Sequence, residues 1–181
     1  MFKHKRIFGV LTAAVLLAAI VAAPAQADLT VNAGTLDFDP AGAPAIGNFT
    51  AVTLDGTPQL TSLTVAPFTI IDSTGSADGW NVLLTIPDLV NAAKGNDTIA
   101  ASNVSMSAPV VTAAAGASMT GVVAHASAGG FAAGEKIVTA TVAHGEGTYL
   151  VSPRILKLTV PDTALVGTYT SAGTIAVVDG P

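Results

Sequence analysis

The chain has 181 residues, 50% hydrophobic and only 10% charged, with no cysteine and a formal charge of −5. Lack of cysteine excludes a disulfide scaffold, a thiolate nucleophile and thiolate metal sites. The acid excess leaves too few Lys and Arg for nucleic-acid binding, and the length suits one ordinary domain or two small ones.

The N-terminus carries Lys3, Lys5 and Arg6, then an apolar run over residues 7–23, then Pro24 and Ala25-Gln26-Ala27. A basic start, an apolar middle and small residues at −3 and −1 predict a secretory signal peptide over residues 1–27, cut after Ala27. The expected mature chain, residues 28–181, keeps all twelve acids against Lys94, Lys136, Arg154 and Lys157, which makes its formal charge −8. No later apolar run reaches membrane-spanning length, so no membrane span is expected in the mature chain.

From there the chain is rich in Val, Thr, Ala, Ser and Gly, with Pro and Gly between short apolar runs. This pattern predicts strands over residues 35–38, 49–54, 60–71, 80–86, 99–106, 119–125, 136–144, 149–160 and 169–178. Alternation is clearest at Leu156, Leu158 and Val160 against Ile155, Lys157 and Thr159. Turn signals at Asp55-Gly56, 72–79, 94–97, 128–134 and 145–147 separate the runs about ten residues apart, the spacing of a sandwich or barrel. Residues 87–94 (PDLVNAAK), with Pro first and Gly95 after, predict one short helix. The expected fold is all-β: a single-domain antiparallel β-sandwich of Greek-key or jelly-roll type.

Chemistry is sparse. His125 and His144 are the only histidines beyond the leader, and no G-x-S-x-G elbow accompanies them. His144-Gly145-Glu146 offers two metal ligands where three or four are needed, and reads as a turn. Asp37 and Asp39 share one face of a strand and resemble a glycosidase pair, but also an ordinary solvated edge. Asp72 and Asp78 bound an oxygen-rich loop (DSTGSAD) that offers weak calcium ligation, while its composition is that of an Asx turn. No other cofactor is expected. Trp80 opens an apolar strand and reads either as a core anchor or as a contact residue. No catalytic set assembles, so a non-enzyme is expected.

The stretch Asp72-Ser73-Thr74-Gly75, followed by Asp78-Gly79-Trp80-Asn81-Val82, resembles the first signature of WxL domains, a D-x-x-G stretch leading into G-W-x-(V/L). Pro161-Asp162-Thr163-Ala164 and Gly167-Thr168-Tyr169-Thr170-Ser171 resemble the segment before the second signature. Ile175-Ala176-Val177 stands where that signature has Trp-x-Leu. Leu36-Asp37-Phe38 and residues 52–56 also fit, so the resemblance spans about Thr35 to Pro181. It implies a divergent member of a family of β-rich surface proteins of Gram-positive bacteria. Such domains associate non-covalently with cell-wall peptidoglycan and with other surface proteins, and Trp80, Asn81 and Val82 are then the implied contact residues. The expected function is a secreted, cell-wall-associated binding module. The alternative is a structural subunit of an extracellular matrix or fibre, for which open sheet edges would allow self-association.

Overall fold

The computed structural model describes residues 29–180, so the signal peptide expected over residues 1–27 lies outside the described residues. The account below concerns the compact unit Asn32–Pro181. It is all-β, with fourteen strands and three single-turn 3-10 helices, and every strand pair is antiparallel.

Nine of the strands are successive stretches of three long chain segments. The first runs through β2 (Gln59–Val65), β3 (Phe68–Asp72) and β4 (Trp80–Thr85). A second, in the opposite direction, runs through β11 (Glu135–Ala140), β12 (Gly147–Val151) and β13 (Arg154–Val160). Their register carries over from sheet to sheet, with Leu63 opposite Leu156, Ile70 opposite Tyr149 and Val82 opposite Val138. On the far side of the second segment lies a third: β7 (Val104–Met106), β8 (Val111–Ala113) and β9 (Val122–Ala124). The result is three four-stranded sheets around one hydrophobic core, an architecture consistent with the expected β-sandwich.

The two bends in this ribbon have different chemistry. At the first, each segment carries a proline between its strands: Pro67, Pro109 and Pro153. Proline has no N–H to give to a ladder, so the strand stops and the chain can change sheets. At the second bend, each segment places residues at positive φ: Gly75, Ala77 and Gly79; Gly116 and Gly121; Ala143 and Gly145. These residues reverse the local twist at a place where ordinary strand dihedrals cannot. The predicted strand over 60–71 is therefore two strands broken at Pro67, and that over 149–160 is two strands broken at Pro153.

The remaining strands close the edges. β1 (Leu36–Asp39) pairs with β3, and β14 (Thr174–Asp179) pairs with β4. β10 (Ser127–Ala128) pairs with β7, and β5 (Leu89–Asn91) with β6 (Asp97–Ile99). The helix predicted over 87–94 is instead β5 followed by a single 3-10 turn, Ala92–Lys94, ending on Gly95 at φ 67°. Eight residues are too few to hold a helix without a buried face, and here Val90 exchanges backbone hydrogen bonds with Thr170 (2.9 and 3.0 Å). Residues 99–106 are broken by the turn Ala101–Asn103. Residues 49–54 and 169–173 are not strands: each touches a neighbouring strand through isolated backbone hydrogen bonds without forming a ladder, and both frame the cleft described next.

Candidate functional site

The residues singled out by sequence fall into two groups. Trp80, Asn81 and Val82 are buried, at 0, 3 and 0% exposure, and offer no surface to a ligand. Trp80 is a core anchor. Its indole Nε1–H donates to the Gly145 carbonyl (2.9 Å) across the second bend, and its ring packs edge-on against Tyr149 with centroids 5.5 Å apart. Tyr149 in turn donates its hydroxyl to the carbonyls of Ser118 (2.9 Å) and Glu146 (3.1 Å). Burial pushes its pKa up, aided by the nearby Asp72 and Glu146 carboxylates, while the hydrogen bond to Ser118 opposes the rise. The D-G-W and H-G-E-G sequences thus meet at one corner, where they hold two chain segments together. Asn81 donates its side-chain N–H to the Gly180 carbonyl, and Val82 stands opposite Val177 of β14. The two WxL-like segments are therefore neighbouring strands, and the role of both at this place is packing.

Asp72 is buried and accepts hydrogen bonds from the Thr74 amide (3.1 Å) and hydroxyl (2.7 Å) through one carboxylate oxygen. Asp78 is exposed, and its amide hydrogen-bonds the Ser76 hydroxyl (3.3 Å). The loop is thus organised by its own side chains, as an Asx turn is. Among the described residues no three His, Asp or Glu side chains group as metal ligands. His125 shares a 2.9 Å hydrogen bond with Thr139, while the His144 ring lies over Gly121. Asp37 and Asp39 are both exposed on one face of β1.

The feature that sequence reasoning missed is a cleft of about 850 Å3. Its floor is the inner face of β2 and β13, at Thr61, Leu63, Leu158 and Val160, continued by Ile86, Leu89 and Ile99. One wall is the irregular stretch over residues 46–54. It is tied to β2 by Gly47 N–H to Thr64 O (2.9 Å), Thr50 N–H to Ser62 O (3.1 Å) and the Thr61 hydroxyl to Thr50 O (2.5 Å). The opposite wall runs from Ala164 to Gly173. It is pinned by the Tyr169 hydroxyl, which donates to Asp97 and accepts from the Leu165 amide (2.9 Å), and by Ser171 donating to Pro87 O (2.7 Å). The Tyr169 hydrogen bond, then that from Leu165, holds the Asp97 carboxyl below its usual value. Burial, followed by Asp97, pushes the Tyr169 phenol up.

Behind the second wall lies Asn91, fully buried, with neither side-chain atom in a well-formed hydrogen bond. It is close enough to Tyr169 to lower that phenol's pKa slightly, and a Cβ on Gly167 would meet its amide nitrogen at 2.4 Å. Gly167, at φ 155°, lines the cleft and packs directly against this amide. No Asp, Glu, His, Lys or Arg lines the cleft; its polar side chains are Asn48, Tyr169 and hydroxyls such as those of Thr50, Thr53, Thr168 and Ser171. A cleft of this composition offers a ligand mainly apolar surface and neutral hydrogen-bonding groups.

The sequence signals nearest the cleft are the apolar Phe49, Val52 and Leu54 and the glycines at 167 and 173. Comparison with protein-family models, with curated proteins and with solved structures found no match to this chain.

Proposed function

We propose that the protein is a secreted binding module that associates non-covalently with the bacterial cell wall, and that it does so by holding an uncharged segment of a wall-bound partner protein in the 850 Å3 cleft. The observation that carries this reading is the cleft's chemistry: a largely aliphatic floor, hydroxyl-bearing walls and no Asp, Glu, His, Lys or Arg in the lining. The partner-protein form is preferred to direct sugar binding because Trp80, the largest flat face in the domain, is fully buried and no row of exposed aromatic faces is present among the described residues. The resemblance to WxL domains and the secretory leader favour a wall setting. At −8, long-range attraction to an anionic wall is absent, so short-range contacts must supply the affinity.

The test is co-sedimentation with Gram-positive sacculi, either carrying their surface proteins or stripped of them, for the wild type and for Thr168→Trp, which fills the cleft from an exposed wall position. Retention on protein-bearing sacculi only, lost in the variant, supports the reading. Equal retention of both variants, or none by either, overturns it.

One observation favours the second reading, a subunit of an extracellular matrix. No Asp, Glu, Lys or Arg occurs over residues 98–134, which include the edge strands β8 and β9 and the exposed Val110, Met119 and Val123. Edges of this kind lack the charges that block edge-to-edge pairing. Filaments seen by electron microscopy at high concentration, and absent in Val123→Lys, would support that function.

A further inference from the structure

Lys94, Lys136, Arg154 and Lys157 are the only Lys and Arg among the described residues, and two of them line one cavity of about 440 Å3 at the start of β13. Arg154 opens that strand directly after Pro153, and Lys157 stands opposite Ser105 of β7. Ser105 and Ser107 complete the polar lining, and no carboxylate lines the cavity. The Nε and Nη2 atoms of Arg154 are shielded from solvent, and neither meets an acceptor. A guanidinium stays charged at any working pH and has only donors, so a shielded edge without an acceptor is a costly arrangement. Among the described residues no carboxylate accepts from either atom.

We propose that this cavity is a binding site for a phosphate-type oxyanion. The Arg154 fork matches two oxygens of such a group, the Lys157 ammonium supplies a second positive charge, and the serine hydroxyls donate to the remaining oxygens. Arg154 and Lys157 start from opposite faces of β13, and both reach the cavity lining. In the proposed complex the Arg154 side chain turns its fork into the cavity, where Lys157 also reaches. A monocarboxylate carries one charge and leaves one of the two cations unanswered, so it binds more weakly. The site shares no lining residue with the apolar cleft, and it stands or falls independently of the function proposed above.

The test follows thermal unfolding of the full chain in sodium phosphate, dimethyl phosphate, acetate and chloride at equal ionic strength. Phosphate tenfold above its dissociation constant is expected to raise Tm by about 4 °C over chloride, with a smaller rise in acetate. A response to dimethyl phosphate as well assigns a diester, and a response to phosphate alone a terminal phosphate group. In Arg154→Met the phosphate-specific rise disappears, and in Lys157→Gln it is reduced. Equal Tm in phosphate and chloride, an acetate rise equal to that in phosphate, or a phosphate rise that persists in Arg154→Met overturns the assignment. Should Arg154→Met not fold, the wild type still decides the matter. The chain has two arginines, Arg6 and Arg154, so selective 15N-arginine labelling gives two Nε signals. One must shift saturably with phosphate while the other does not, and no saturable shift refutes the site.

Discussion

Replacing Gly145 by alanine probes how the second bend is held. Two effects act at this position. Gly145 has φ 95°, where an L-residue pays roughly 1–2 kcal/mol. The new Cβ would also lie 2.4 Å from the Ala140 Cβ and 2.6 Å from Trp80 Nε1, so the corner must spread. Spreading overpacked atoms costs about 1–3 kcal/mol, and a buried indole N–H parted from the Gly145 carbonyl adds about 1–3 kcal/mol. Allowing for overlap between these terms, the loss is on the order of 4 kcal/mol, a large share of the roughly 5–15 kcal/mol that holds a domain together. Gly116 is the control: its φ is 93°, almost the same, but nothing lies within 4 Å of its Cβ position. Gly116→Ala should therefore cost only the dihedral part, about 1–2 kcal/mol. Urea unfolding followed by the fluorescence of Trp80, the chain's single tryptophan, gives both values on one scale. If Gly145→Ala loses no more than Gly116→Ala, close packing against Trp80 does not hold the bend.

Further outcomes follow from the same geometry. Trp80 should emit at short wavelength, resist iodide quenching and show no change on adding wall fragments; an exposed or ligand-sensitive emission would contradict its full burial. Asn91→Leu removes a buried amide without a well-formed partner and should raise stability by about 1 kcal/mol in the same urea assay, and a loss of that size would show that the amide is satisfied. Asp97 has its folded pKa lowered from 3.8, so its contribution to stability is present above that pH and is lost as pH falls through the folded value. In Tyr169→Phe the Asp97 carboxyl, followed by carbon NMR, should titrate closer to 3.8, and an unchanged titration would count against the clasp. The raised pKa of Tyr149 works in the opposite sense. Its contribution is complete below pH 10 and is lost as pH rises through the folded value, so Tyr149→Phe should flatten the alkaline limb of the stability curve.

Much of the fold was legible along the chain because a strand writes its two faces into alternate residues. Leu156, Leu158 and Val160 turn inward and Ile155, Lys157 and Thr159 outward, as their alternation predicts. The turn at 145–147 and that at 72–79 also stand where glycine and aspartate mark them, since positive φ and Asx hydrogen bonds are local demands. Residues 49–54 read as a strand because Phe49, Val52 and Leu54 form a short apolar run with threonines, yet that run serves the wall of a cleft. A hydrophobic pattern says that side chains leave water, and it does not say whether a ladder forms beside them.

The sequence by itself determined that this is a cysteine-free, acidic, all-β domain with few reactive side chains, because these properties are composition and local periodicity. Tertiary structure alone decided that Trp80 is a clasp between two chain segments 65 residues apart. It also decided that the two WxL-like segments lie side by side, and that an uncharged cleft opens between stretches 46–54 and 164–173. Those outcomes depend on which strand pairs with which across long separations, and such pairing is settled by the packing of one shared core, which no local stretch encodes.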